Sequence, residues 1–332
     1  MIGVVGATGE VGSHAVRALR ALGVGPLRVG GSRDVDFRDP RSLDRFAAGC
    51  RVLVNCAGPA YLVGDRVVQA AARAGADHVD ASDPEGSFVD GRVVVGAGLQ
   101  PGLTGLLPRW LARQEFDTAH GLIMHLGVLD RFTAAAADDY LAAADDGEAL
   151  AAWRDGRRSG VLTRRTGETL PFFPGEVSLL PYLNAESVRV AETLGLTRGE
   201  WYTAVSGDHV RAAFDRARSL ERADAVAALC RASALDLVGR EPHVVLQARM
   251  DGVRAGETVT RTAVLRGRGN GEVTGALTAL AVLAVIRREV PVGRHFAADV
   301  LDPEVTIARL TECGVAEPFV VDGEPSIEVG AL

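Results

Sequence analysis

Gly6-Ala7-Thr8-Gly9-Glu10-Val11-Gly12 follows the strand-like segment Ile2–Val5 and opens an amphipathic helix predicted over residues 10–22. Glycines at the first, fourth and seventh positions of this turn allow a tight bend, a close backbone approach to a phosphate and close packing of helix on strand. The helix N terminus adds N–H groups and the positive end of its dipole. The segment therefore predicts a dinucleotide pyrophosphate site. Its predicted contact residues are Gly6, Thr8, Gly9, Glu10, Val11 and Gly12.

Short apolar strands and amphipathic helices alternate through the first hundred residues, which is typical of a parallel sheet covered on both faces. Strands are predicted at 2–5, 27–29, 52–55, 78–80 and 92–95. Together with the glycine turn, this order predicts the α/β fold class, with a Rossmann-type doubly wound parallel sheet.

The pattern changes near Asp117, where longer half-buried strands begin. We predict a strand at 120–130, a helix at 134–153, a hairpin turn at Thr166-Gly167 and a strand pair at 243–250 and 257–265. This region predicts an inserted α+β domain for substrate binding and dimerisation. The predicted domains are therefore 1–116 for the dinucleotide, 117–270 for substrate and dimerisation, and 271–332, whose buried helix returns to the first domain.

Composition excludes several classes of protein. The chain has 332 residues, 47% of them hydrophobic, and a formal net charge of −7. All 36 basic residues are arginine, which excludes a Schiff-base lysine and a P-loop lysine. The acidic balance argues against a nucleic-acid partner, and no apolar run reaches the ~20 residues that span a bilayer. Four scattered cysteines show no metal-ligand spacing. We expect a cytoplasmic protein that binds neither nucleic acid, membrane nor metal.

The residues after the second predicted strand bear on which dinucleotide is bound. A carboxylate at this place accepts from the ribose 2′-hydroxyl of NAD, whereas an arginine pairs with the 2′-phosphate of NADP. Here Ser32 offers a hydroxyl donor and Arg33 a bidentate guanidinium. We therefore predict NADPH as the cofactor. The alternative is a solvated Arg33 that pairs with Asp34 or Asp36.

Glycine and proline also follow the third strand of the predicted sheet. A backbone wall there would line the crevice in which open α/β sheets bind ligands. Cys56 invites interpretation as a nucleophile, but no histidine lies near it in sequence, so we favour a small side chain packed against the cofactor. The residues predicted to contact the cofactor in this segment are Asn55, Cys56, Ala57, Gly58 and Pro59.

In these segments the chain resembles the saccharopine dehydrogenase-like reductases. The resemblance rests on the glycine turn, on Val54-Asn55-Cys56-Ala57-Gly58-Pro59, on Val79-Asp80-Ala81-Ser82-Asp83 and on Gly98-Leu99-Gln100-Pro101-Gly102. It covers residues 1–110 well, extends to the helix at 271–290 and is faint between them. It implies a Rossmann domain, a mixed α/β substrate domain and reduction of C=N bonds of amino acids or polyamines with NADPH or NADH.

Reduction by a nicotinamide requires a proton donor near the receiving atom. Tyr61, three residues past Gly58, is one candidate, with packing at the crevice rim as the equal alternative. Asp83 is the second candidate, although Asp80 and Asp83 also suit the capping of a turn. We take Tyr61 and Asp83 as the predicted catalytic residues.

Four further residues are predicted to contact a small-molecule substrate. Gln100 belongs to the segment after the fifth strand, and Thr133 begins a helix whose N terminus suits a carboxylate. His125 lies on the strand at 120–130, where a buried core histidine is the favoured alternative. His209, after Ser206-Gly207-Asp208, is a candidate of similar weight.

These observations predict an NADPH-dependent oxidoreductase that reduces the C=N (imine) bond of an amino-acid-derived substrate. One alternative is reduction of a C=C or C=O bond in a tailoring pathway, and another is a non-catalytic NADP-binding regulator. We also expect a homodimer, formed through the strands around 243–265. Their second face carries Val245, Leu246, Val259 and Val264, which a partner would cover.

Overall fold

The computed structural model describes residues 1–84, 91–146 and 148–323. The chain divides into two compact units, each built from two separate stretches of sequence. Unit 1 comprises Met1–Leu106 and Asn270–Val315. Unit 2 comprises Leu107–Gly269 and the segment from Ala316 onward.

The helices and strands follow one another as short elements in unit 1 and as longer strands in unit 2. The strands are β1 (Ile2–Val5), β2 (Leu27–Gly30), β3 (Val52–Asn55), β4 (Asp77–Asp80), β5 (Arg92–Val95), β6 (Thr118–Leu129), β7 (Glu148–Ala149), β8 (Ala152–Arg154), β9 (Arg157–Arg158), β10 (Arg165–Thr169), β11 (Glu176–Leu183), β12 (Arg198–Val205), β13 (His243–Arg254), β14 (Glu257–Gly267), β15 (Gly293–Phe296) and β16 (Ala316–Asp322). The helices are α1 (Glu10–Ala21), α2 (Pro40–Ala47), α3 (Ala60–Val63), α4 (Arg66–Ala74), α5 (Leu103–Glu115), α6 (Ala134–Asp146), α7 (Ala185–Thr193), α8 (Asp208–Ala217), α9 (Arg222–Asp236), α10 (Asn270–Ile286), α11 (Ala297–Val300) and α12 (Pro303–Glu312).

The sheet of unit 1 has six parallel strands in the order β15-β5-β4-β3-β1-β2. The chain first moves outward from β1 to β2 and then crosses to the other side of β1 to form β3. The carboxyl ends of β1 and β3 therefore flank a topological switch point, where open α/β sheets bind ligands. This arrangement confirms the predicted Rossmann-type, doubly wound fold class.

Local sequence explains the elements around this sheet. β1 and β3 are completely buried and apolar apart from Asn55 at the end of β3, as suits strands covered on both faces. The Asp39 side chain caps α2 by accepting from Arg41 N over 3.0 Å, with proline in the first turn. Gly75 adopts the left-handed conformation that ends α4.

Two glycines of α10 allow this helix to pack against α1. A Cβ atom on Gly271 would lie 2.6 Å from Cγ of Glu10, and one on Gly275 would lie 2.6 Å from the backbone nitrogen of Ala15. Any larger residue at 275 would therefore push the helices apart. The packing holds α1, and with it the glycine turn, against the buried helix.

Unit 2 is built on a mixed sheet whose main path runs β10-β11-β12-β6-β13-β14-β16. β6 lies inside it, parallel to β12 and antiparallel to β13. β13 and β14 form the predicted hairpin strands, in register from Val244 opposite Gly267 to Arg254 opposite Glu257.

Two predictions of secondary structure in unit 2 are wrong. The helix predicted to reach residue 153 ends at Asp146, because Trp153 belongs to β8, which pairs with β12, and its indole nitrogen donates to Leu196 O over 2.7 Å. Thr166-Gly167 is no hairpin turn but an irregularity inside β10, where the register with β11 shifts between Arg165 and Glu168. The positive φ of Gly167, 68°, makes this bulge possible.

The predicted assignment of residues 271–332 to the first domain is wrong for the tail. β16 pairs with β14 over Ala316–Asp322 and so completes the sheet of unit 2. The boundary near residue 116 also moves, since Leu107 already belongs to unit 2.

The surface predicted for dimerisation is already covered within the chain. Val245 and Val264 are 3% and 0% exposed and pack in a cluster with Phe173, Leu179 and Tyr202. β13 and β14 also lie inside the sheet, each between two neighbours, so neither offers an open edge. These contacts account for the burial of Val245 and Val264 without a second copy, and the homodimer stays a prediction.

Within residues 1–84, 91–146 and 148–323, no helix combines the length and the apolar character needed to cross a membrane. In the same ranges no group of His, Cys, Asp and Glu side chains forms a candidate metal site.

Candidate dinucleotide site

The first glycine of the turn lies in contact with the loop that follows β3. Gly6 has a φ of 74°, and a Cβ atom on it would lie 2.6 Å from the backbone nitrogen of Ala57 and 2.7 Å from the carbonyl carbon of Cys56. A Cβ on Gly12 would lie 2.1 Å from Gly6 O. The glycine spacing is therefore a requirement of backbone contact at the switch point, as the sequence predicts.

The N terminus of α1 retains backbone donors. Gly9 is the N-cap residue and has no side chain to accept from the first turn. Among the hydrogen bonds of the described residues, none is donated by the N–H groups of Val11 or Gly12. α2, α7 and α12, by contrast, are capped by the side chains of an aspartate or an asparagine. Free N–H groups at a helix N terminus bind anions.

The side chain of Glu10 lies beside α10, with its Cγ 2.6 Å from the position that a Cβ on Gly271 would take. Its contact with the cofactor stays a prediction. Thr8 and Gly9 are exposed at the bend itself, and Gly9 N donates to Gly6 O over 3.0 Å.

A tight turn at residues 31–34 presents Ser32 and Arg33. Asp34 N donates to Gly31 O over 2.9 Å, and Gly31 N donates to Asp34 Oδ2, also over 2.9 Å. A Cβ on Gly31 would lie 2.4 Å from Oγ1 of Thr8, so this turn contacts the glycine turn directly. Ser32 and Arg33 are both exposed at its corner.

The charges around this corner distinguish the two interpretations of Arg33. In the part of the chain that the structure describes, Arg33 forms no ion pair, neither with Asp34 nor with Asp36. Asp36 instead accepts from Arg38 N. Arg28, the other cation of β2, donates to the carbonyl oxygens of Phe46 and Ala48 and is thus occupied. The guanidinium of Arg33 is therefore available to an anion.

The loop after β3 forms the predicted wall of the crevice, with Cys56, Ala57, Gly58 and Pro59 half-buried. Burial and the nearby carboxylate of Asp80 raise the pKa of the Cys56 thiol well above its usual range. Since only the thiolate is an effective nucleophile, this shift favours the packing role over nucleophilic chemistry.

Asn55, a predicted cofactor contact, is buried and only 1% exposed. Its Nδ2 donates to Asp80 Oδ2 over 2.9 Å, and its Oδ1 accepts from Ala57 N over 3.1 Å. Asn55 therefore acts within the protein, on the loop that it begins.

The two predicted catalytic residues have different surroundings. Tyr61, on the short helix α3, is 52% exposed. Asp83 forms an ion pair with Arg294 of β15, whose guanidinium also lies 4.7 Å from the centre of the Phe296 ring. This ion pair favours a structural role for Asp83 over the predicted proton transfer. Gln100 is exposed beside a turn in which Gly98 N donates to Pro101 O over 3.0 Å.

Sequence reasoning missed a buried hydrogen-bond network at the carboxyl ends of β3 and β4. Asp80 Oδ1 accepts from Ser82 N and Ser82 Oγ, while His78 Nε2 lies 3.4 Å from Asp80 Oδ2. His78 and Asp80 are 0% and 1% exposed. The signal available in the sequence is the spacing of two residues, which places both side chains on one face of β4.

Unit 2 holds the other predicted substrate residues. His125 is buried and stacks on Tyr202 with ring centres 5.3 Å apart. Burial, aided by the positive charge of Arg165, lowers the pKa of His125 to about 4. The Tyr202 hydroxyl donates to Glu200 Oε2 over 2.7 Å. These contacts are those of a core histidine, although among the described residues neither ring nitrogen of His125 has a hydrogen-bond partner.

Thr133 and His209 each lie at the start of a helix. Thr133 Oγ1 accepts from Ala136 N over 3.1 Å and so caps α6. The carboxylate of Asp236 accepts from the backbone nitrogens of His209 and Val210 and lies 2.7 Å from His209 Nδ1. Across the described residues, no hydrogen bond connects Thr133, His209 and His125.

No protein-family model and no curated protein matches the chain. Solved structures of similar fold include C. glutamicum DAP dehydrogenase in complex with DAP, at 13% identity over 95% of this chain and 98% of that chain, with a TM-score of 0.45. Another is an engineered D-amino acid dehydrogenase bound to NADP+, at 14% identity over 95% and 99%, with a TM-score of 0.44. GenD2 from gentamicin A biosynthesis, in complex with NAD, follows at 13% identity over 98% and 96% and a TM-score of 0.38.

Two further solved chains match over a shorter length. This chain spans 46% of one of them and 28% of the other, at TM-scores of 0.21 and 0.22. All of these matches concern the course of the backbone.

Proposed function

We propose that this protein is an NADPH-dependent reductase whose cofactor site is the switch point of unit 1. The observation that carries the proposal is the exposed Ser32–Arg33 corner, held against the glycine turn by the contact of Gly31 with Thr8. A phosphate between Ser32 and Arg33 would meet a hydroxyl donor and a guanidinium that has no ion-pair partner among the described residues. The uncapped start of α1 supplies the matching site for the pyrophosphate.

The strand order determines how a dinucleotide would lie. β2 is on one side of β1, and β3 and β4 are on the other side. With the 2′-phosphate at the end of β2 and the pyrophosphate at the end of β1, the nicotinamide half extends towards the ends of β3 and β4. Residues 56–59 would then line the nicotinamide, and Tyr61 would lie on the short helix that follows them.

We assign the reaction as reduction of a C=N bond in an amino-acid-derived substrate. When bound, NADPH supplies a hydride to the imine carbon, and the imine nitrogen gains a proton, which gives a secondary or primary amine and NADP+. The Tyr61 hydroxyl is the proposed proton donor because it is exposed and follows the loop that lines the nicotinamide. The support for an imine is the sequence resemblance to the saccharopine dehydrogenase-like reductases in residues 1–110.

The direct test measures NADPH consumption with pairs of compounds. An imine forms reversibly from a 2-oxo acid and an amine, so we expect consumption only when both are present. Each compound alone is the control. Consumption with the 2-oxo acid alone would indicate C=O reduction instead, whereas tight NADPH binding without consumption in any mixture would indicate a non-catalytic NADP-binding protein.

A further inference from the structure

Four polar side chains form a buried network at the carboxyl ends of β3 and β4. Asn55 and Asp80 are register partners on these strands, and His78 and Ser82 are two residues before and after Asp80. Asn55, His78 and Asp80 are each at most 1% exposed. A buried carboxylate is stable in a protein only with hydrogen-bond donors around it, and Asp80 has them in Asn55 Nδ2, Ser82 N and Ser82 Oγ.

The network acts on the loop that lines the crevice. The amide nitrogen of Asn55 donates a hydrogen bond to Asp80, and this bond fixes the orientation of the Asn55 side chain. Its remaining oxygen then accepts from Ala57 N over 3.1 Å, so the backbone must turn at Cys56. At this turn the backbone lies so close to Gly6 that a Cβ atom on Gly6 would be only 2.6 Å from Ala57 N.

We propose that Asp80 is a positioning residue for the nicotinamide half of the cofactor, acting through Asn55 on the backbone of Cys56 and Ala57. This inference rests on the proposed function, since it assumes a dinucleotide at the switch point. It assigns Asp80 no contact with cofactor or substrate. Its role is to make Asn55 a fixed acceptor for Ala57 N.

The two halves of the cofactor provide a selective test. Adenosine 2′,5′-bisphosphate carries the 2′-phosphate but no nicotinamide, so it reports only on the β2 side of the site. NADPH reports on both sides, and its fluorescence rises when the nicotinamide is held in a fixed environment. Binding of each ligand is measured by calorimetry, and NADPH also by its fluorescence.

Asp80→Asn keeps the shape of the side chain but breaks its bonding. Both carboxylate oxygens of Asp80 accept hydrogen bonds, one from Asn55 Nδ2 and the other from Ser82 N. In the asparagine variant an NH2 group replaces one of these oxygens, so it faces another donor whichever way the amide is turned. We expect NADPH binding to weaken about tenfold, with less fluorescence enhancement. Binding of adenosine 2′,5′-bisphosphate should remain within about twofold of the wild type.

Exchanging the two side chains should restore the network. In the double variant Asn55→Asp/Asp80→Asn, the carboxylate at 55 accepts from Ala57 N and from the new amide at 80. The oxygen of that amide accepts from Ser82, and the second tautomer of His78 accepts from its nitrogen. NADPH binding should return to within about threefold of the wild type. Asp77→Asn, at the other end of β4, is the matched control, because an amide oxygen still accepts from Arg92 N.

Each outcome decides between the proposals. Equal weakening of both ligands by Asp80→Asn, or no weakening, overturns the positioning role, and so does failure of the exchange to restore NADPH binding. If Asp80→Asn does not fold, Ser82→Ala removes a single donor and must weaken NADPH alone, by about threefold. A wild-type protein that binds neither ligand overturns the proposed function itself. One that binds both keeps the proposed cofactor site whatever the variants show, and its reductase activity is decided by NADPH consumption.

Discussion

The backbone nitrogen of Gly31 donates a hydrogen bond to Oδ2 of Asp34, so this carboxylate closes the turn that carries Ser32 and Arg33. At the end of a second strand, an aspartate normally suits the ribose hydroxyl of NAD and opposes a 2′-phosphate. Here the carboxylate is bound to the backbone of its own turn. Asp34 therefore supports the presentation of Arg33.

Asp34→Ala removes this acceptor, and we expect NADPH to bind about three- to tenfold more weakly because the corner is no longer held. Asp34→Asn keeps an acceptor oxygen and should bind NADPH nearly as well as the wild type. Fluorescence titration of both variants checks the expectation. Tighter binding of NADPH by Asp34→Ala would show that the carboxylate opposes the phosphate instead.

Arg33→Ala should reveal the cofactor preference. A charge-assisted hydrogen bond to a phosphate is worth roughly 1.5–3 kcal/mol, so NADPH affinity should fall about ten- to hundredfold. NADH lacks the 2′-phosphate and should bind equally well to both proteins. Equal losses for the two dinucleotides, or a wild-type preference for NADH, would contradict the assignment.

Tyr61→Phe removes the proposed proton donor and keeps the ring. We expect kcat to fall about a hundredfold or more with little change in KM, since proton transfer belongs to the transition state. Steady-state kinetics with a substrate identified by the paired-compound assay provides the measurement. A variant that keeps the wild-type kcat would leave Tyr61 with a packing role.

Gly6→Ala and Gly23→Ala form a matched pair, because both glycines have a positive φ, 74° and 67°. A Cβ on Gly23 meets no atom within 4 Å, so this variant should cost about 1 kcal/mol of unfolding free energy from backbone strain alone. Gly6→Ala adds a clash with the backbone of Ala57 and should cost more than about 3 kcal/mol. Urea unfolding compares them, and similar losses would mean that the contact relaxes freely.

His125 should make stability depend on pH. Burial lowers the pKa of its imidazole in the folded protein to about 4, from an ordinary value of 6.5. Between these values the unfolded chain binds the proton more readily, so stability is complete above pH 6.5 and declines as the pH falls towards 4. The decline should amount to roughly 3 kcal/mol. The unfolding free energy of His125→Gln, measured across this pH range, should not show this decline. If the wild type and the variant lose stability with pH at the same rate, the linkage to His125 is disproved.

The sequence was most informative where local chemistry decides structure. The glycine turn is found as predicted. The Asp39 cap of α2 and the glycine stop of α4 likewise depend on neighbouring residues alone. The long predicted helix failed beyond residue 146 because the pairing of Trp153 with β12 outweighs the helix preference of the alanines.

Much of the candidate site depends on contacts that the sequence does not show. The 2′-phosphate corner was predicted from Ser32 and Arg33 alone, but the role of Asp34 follows from a turn geometry that other residues also allow. The Asn55–Asp80 bond joins residues 25 positions apart. It requires the strand order and the register, which long-range packing determines.

The division of both units between distant stretches of chain has a consequence for synthesis on the ribosome. Unit 1 needs α10 and β15, which begin at Asn270 and Gly293, long after its first 106 residues have emerged. At typical elongation rates the delay is roughly 8–30 s. During this time the part of α1 at Val11 and Ala15, which lies against Gly275 in the finished protein, has no α10 to pack against. The nascent chain should therefore be a client of ribosome-associated chaperones until the residues from Asn270 onward appear.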